Sequence, residues 1–81
     1  MNIERAAMRG QLAEAEQARG KLRLKIDGLC ASIRMQLNTA LTAVEDLDVP
    51  MAAQMMDDLV TAYAELTAIS GRIARIEKDL G

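Results

Sequence analysis

Apolar residues recur at spacings of three and four along almost the whole chain. In the C-terminal part, Met55, Leu59, Ala62, Leu66, Ile69, Ile73, Ile76 and Leu80 alternate gaps of four and three, the repeat of a helix with one apolar face turned to a partner helix. Ala52 continues the stripe weakly at its start. In the N-terminal part the apolar positions are Met8, Leu12, Ala15, Leu22, Ile26, Leu29, Ile33, Leu37, Ala40, Val44 and Leu47. From Leu22 the pattern returns after eleven residues, through Ile33 to Val44. A period of eleven stays close to the natural helical twist and predicts a nearly straight helix.

Pro50 is the only proline. It disfavours helical geometry at Val49 and suits the first turn of a following helix, with Asp48 the better capping side chain. The pattern therefore predicts a first helix over about 3–46, a tight turn at about 47–50 and a second helix over about 50–80. A short connection makes the helices antiparallel neighbours, and folding about that turn pairs positions whose numbers sum to about 97. Leu80 then falls near Gln17, Leu66 near Ala31, and residues 1–16 overhang the hairpin. The expected fold is all-α, an antiparallel two-helix hairpin with coiled-coil packing.

The first helix carries a second periodic face. Ile3, Ala6, Gly10, Ala13, Gln17, Gly20, Leu24, Gly28, Ala31 and Met35 recur at spacings of three and four, roughly opposite the Leu22–Ile33 stripe, with Asn38 and Thr42 continuing the pattern. No position on this face is charged. A helix-interior glycine costs about 1 kcal/mol relative to alanine, a cost that close backbone approach to another helix offsets. Leu24 and Met35 also stand where a solvent face would hold Lys or Glu. The face therefore predicts a self-association seam, and a helical-bundle oligomer, a homodimer or larger, built on the hairpin. The bland alternative is a row of small residues on an exposed surface.

Charge changes the picture next. The net charge is only −2, which gives no overall field for nucleic acid or membrane, but the signs are sorted. Glu45, Asp46, Asp48, Asp57 and Asp58 lie in a stretch, 39–70, without Lys or Arg. Arg19, Lys21, Arg23 and Lys25 form a basic run, and the expected register brings Arg72, Arg75 and Lys78 beside it. The result is an acidic tip and a basic open end. Opposed ends suit solubility and antiparallel docking; a basic end also suits phosphate, and an acidic tip suits a basic surface on a protein partner.

Composition removes most chemistry. At 81 residues, with one cysteine, no histidine and Tyr63 as the only aromatic residue, the chain is one domain without an internal disulfide. It lacks the commonest general base and zinc ligand. Cys30 flanks the core stripe and reads as a buried small hydrophobe, and "EDLD" lacks the glycine and bidentate acid of a calcium loop. Met51, Met55 and Met56 fill the turn end of the hairpin or form an adaptable patch there. The stretch "LRLKIDGLCASI" is similar to the opening helix of helical chorismate mutases over a dozen residues. Cys30 stands where that family has an acid, however, and its further catalytic helix has no counterpart after Gly71.

The expectation is a non-enzymatic interaction module: adaptor, regulator or inhibitor, self-associating, with a protein partner and with no cofactor, metal or small-molecule substrate. The alternative is a nucleic-acid-associated regulator using the basic end. A free thiol and the lack of a leader or membrane-spanning run suit the cytoplasm, and the size suits an accessory gene product such as one carried by a phage.

Overall fold

The computed structural model describes residues 2–81 as two long helices that pack against one another, with no strand among the described residues. Helix α1 spans Ile3–Gln36 and α2 spans Val49–Leu80, with a short 3₁₀ turn, Val44–Asp46, in the connection. The hairpin is a rod of 65 × 16 × 15 Å.

Each helix starts on a side-chain cap. The Asn2 side chain accepts from the Arg5 backbone N–H at 3.1 Å, and the Asp48 side chain accepts from that of Met51 at 3.1 Å. Both satisfy a first-turn donor that has no intrahelical partner. Pro50 sits in the first turn of α2, where its missing N–H is no loss. Glu4 near the start of α1, Arg34 in its last turn and Lys78 in the last turn of α2 complement the helix dipoles.

The first helix stops at Gln36, ten residues short of the expected end near 46, and the connection is 37–48 rather than a tight turn at 47–50. Asn38 explains the stop. Its side chain accepts from the Ala40 N–H at 3.0 Å, and its carbonyl accepts from Leu41 and Thr42 at 3.2 and 3.1 Å. Those bonds offer the backbone a turn in place of another helical step. Leu37, Ala40 and Val44 consequently leave the apolar stripe and are exposed.

The register shifts with the turn. An Arg5 guanidinium N–H donates to the Leu80 carbonyl at 2.8 Å, so facing positions sum to about 85, since both helices rise about 1.5 Å per residue. Residues 1–16 do not overhang: their described part lies beside the last turns of α2. That register sets Met8 beside Ile76, Leu12 beside Ile73, Ile26 beside Leu59 and Ile33 beside Ala52. The core is thin. The buried side chains among the described residues are Ala15, Ala52, Ala62, Ile73 and Ile76, with Leu12, Leu22, Ile26, Leu29, Ile33, Leu59, Leu66 and Ile69 half-buried around them.

Candidate protein–protein interface

Residues on the second face of α1 all lie in the helix and are all exposed: Ile3, Ala6, Gly10, Ala13, Gln17, Gly20, Leu24, Gly28, Ala31 and Met35. Leu24 is 76% exposed and Met35 70%. Asn38 and Thr42 fall in the connection and drop out of the face. A methyl group built on Gly10, Gly20 or Gly28 would meet nothing within 4 Å. Packing against α2 therefore does not require these glycines, and no glycine has a positive φ. Nothing inside the hairpin accounts for them.

Charge is sorted differently from the sequence expectation. With facing positions summing to about 85, Arg72, Arg75 and Lys78 face the segment from about Ala7 to Ala13, not the run at 19–25. Arg19, Lys21, Arg23 and Lys25 instead form a belt midway along the rod, with Glu65 the one acid at that height. At the open end Glu4, Glu14, Glu16, Glu77 and Asp79 interleave with Arg5, Arg9, Arg72, Arg75 and Lys78. The basic open end is thus a correction: the end is mixed and the belt is central. The acidic tip holds its composition, because Glu45, Asp46 and Asp48 cluster in the connection and Asp57 and Asp58 follow on α2. Asp27 joins them from α1, and Arg34 is the only cation at that end.

A further exposed stripe escaped sequence reading. Val49, Met56, Val60 and Tyr63 on α2 are 57%, 45%, 64% and 62% exposed, at gaps of seven, four and three. Their spacing is that of the core stripe displaced by one position, which is why the stronger Met55–Leu59–Ala62 repeat hid it. Leu41 and Val44 add apolar surface at the tip, at 78% and 67% exposed. Met51 and Met56 are likewise exposed while Met55 is half-buried.

No arrangement for covalent or metal chemistry stands out. Cys30 is a half-buried free thiol, and among the described residues no three His, Cys, Asp or Glu side chains gather to hold a metal ion. The one depression described is open and lined by Glu65, Ala68, Ile69, Arg72 and Arg75 of α2 alone. Among the described residues no helix is long and apolar enough to cross a membrane. Compared with family models, curated proteins and solved structures, the chain has no match.

Proposed function

We propose that this protein is a non-enzymatic interaction module that self-associates through α1, with coiled-coil packing between its two helices, and that meets a protein partner through its tip. The observation that carries the reading is the imbalance between a thin core and large exposed apolar faces. The hairpin exposes 6070 Å². A compact monomer of its 8.8 kDa would expose roughly 4,800 Å². Eleven large apolar side chains are among what is left outside, and association would cover them.

The tip supports the second half of the reading. Its acids share the connection and the start of α2 with exposed Leu41, Val44, Val49 and Met51, a surface that suits a basic, apolar patch on another protein. The nucleic-acid alternative needed Arg72 and Arg75 beside Arg19, Lys21, Arg23 and Lys25. The observed register separates the two groups and mixes acids into the first. Solution mass by light scattering tests the self-association reading, on the wild type and on Gly20→Glu with Gly28→Glu. The expected result is a wild-type dimer or larger assembly that the paired substitution dissociates; a wild-type monomer at high micromolar concentration would remove the reading.

A further inference from the structure

The geometry points to an antiparallel homodimer in which the α1 helices of two copies cross their two-fold axis at Leu24. This deepens the self-association reading and rests on it. Three observations carry it: the seam's spacing, the rod's length and the placement of charge.

The seam's spacing is symmetric about Leu24 over its longest matched span. Below Leu24 the gaps run four, three, four, three through Gly20, Gln17, Ala13 and Gly10. Above it they run four, three, four through Gly28, Ala31 and Met35. Leu24 is the one position with a gap of four on both sides, and the pattern read in the opposite direction matches about it over seven positions, Ala13 to Met35, a longer span than about the middle of any gap. Turned about Leu24, Gly20 faces the partner's Gly28, Gln17 faces the partner's Ala31, and Ala13 faces the partner's Met35. Leu24 packs on the partner's Leu24, flanked by glycines. Alanines face the larger Gln17 and Met35, glycines make room on either side of the central leucines, and the open space beside Gly20 and Gly28 is where the second backbone lies.

Length agrees with that centre. Leu24 lies about 32 Å from Ile3 at 1.5 Å per residue, the midpoint of a rod 65 Å long. An antiparallel copy centred there overlaps along the whole rod with both ends flush. The surplus of surface over a compact monomer exceeds the roughly 800 Å² per partner of a standard interface.

Charge selects the direction. A parallel copy would lay belt on belt and acidic tip on acidic tip. The antiparallel copy separates the acidic tips and brings the Asp27, Asp57 and Asp58 zone of each chain level with the belt of the other, while the two belts, being central, still overlap at Arg23 and Lys25. Along one edge of the seam Glu16 comes level with the partner's Arg34, and Arg23 with the partner's Asp27, each within about 3 Å of height. Along the other edge Lys21 and Lys25 of the two copies converge, an opposing contribution smaller than that of superimposed belts and tips.

Cysteine pairing in a Cys30→Ser background tests the geometry, with light scattering on the same protein. Disulfides need Cα atoms within about 7 Å. Leu24→Cys should oxidise to a covalent dimer, whereas Gly10→Cys should not, because its two copies would lie about 42 Å apart. Should Leu24→Cys weaken association, mixed Gly20→Cys and Gly28→Cys proteins supply an independent reading: they should link to each other and not to themselves. A non-covalent dimer in which Gly10→Cys links to itself would mean parallel docking. A dimer in which no seam cysteine links would mean the Val49–Tyr63 stripe of α2 is used instead. Either result overturns this inference and leaves self-association standing; a monomer overturns both.

Discussion

The Arg5 guanidinium closes the open end of the hairpin by donating to the Leu80 carbonyl at 2.8 Å, across 75 positions of sequence. That carbonyl belongs to the last turn of α2, where backbone acceptors have no helical partner and the dipole favours a cation. Arg5 is also the residue whose N–H the Asn2 cap accepts. One side chain thus ties the start of α1 to the end of α2. Arg5→Ala should lower stability by about 0.3–1 kcal/mol and speed amide exchange in residues 77–81 more than in the middle of α2. Unchanged exchange there would mean the contact does not hold the end.

The same contact shows what the sequence could and could not say. The inward faces were legible because their residues are chosen for period: Ala52, Met55, Leu59, Ala62, Leu66, Ile69, Ile73, Ile76 and Leu80 of α2 are buried or half-buried, as are Met8, Leu12, Ala15, Leu22, Ile26, Leu29 and Ile33 of α1. The end of α1 was not, because Leu37, Ala40 and Val44 continue the period by chance into a segment where Asn38 bonds its own neighbours. "LNTALT" holds the signal, an asparagine and two threonines without a charged pair, but periodicity outweighed it. That one misplacement moved the register by about twelve positions and carried the basic run from the belt to the end. The outer seam of α1 needed only helical phase, so its exposure was readable whatever the register.

Burial separates two apolar positions on the same helix. Ile73 is 1% exposed, while Val60 is 64% exposed. Ile73→Ala should cost about 2–4 kcal/mol through lost burial and the cavity left in a thin core, a large share of the stability of so small a fold. Val60→Ala should stay within about 0.5 kcal/mol. Urea denaturation followed by circular dichroism measures both. Equal costs would place Val60 in a second interface.

The seam glycines give opposite effects on the two levels of structure. Gly20→Ala with Gly28→Ala should raise the stability of the hairpin, by up to about 1 kcal/mol per site, because alanine is the better helix former and the methyls meet nothing within 4 Å in the single chain. In the dimer those methyls fall where Gly20 meets the partner's Gly28, so the dissociation constant should rise. Thermal melts at two protein concentrations read both at once. The doubly substituted protein should melt higher when dilute and lose the concentration dependence of the wild type. A melting temperature that rises equally at both concentrations would place the glycines on an idle surface.

Lys25→Glu should tighten the dimer, which no account of the single hairpin predicts. Lys25 is exposed, and along the convergent edge of the antiparallel pair it comes level with the partner's Lys21. Reversing its charge replaces that repulsion with attraction, twice over by symmetry. Exposed pairs are worth about 0.2–1 kcal/mol each, so the two together should strengthen association by about 1 kcal/mol, close to fivefold. The same carboxylate also meets Lys21 of its own helix one turn away, which helps the helix in monomer and dimer alike. The dissociation constant from sedimentation equilibrium is therefore the quantity to measure. The gain should shrink in high salt as the exposed pairs are screened. A parallel dimer would instead set position 25 beside the partner's position 25. There the substitution would exchange one like-charge pair for another, and the dissociation constant would not fall.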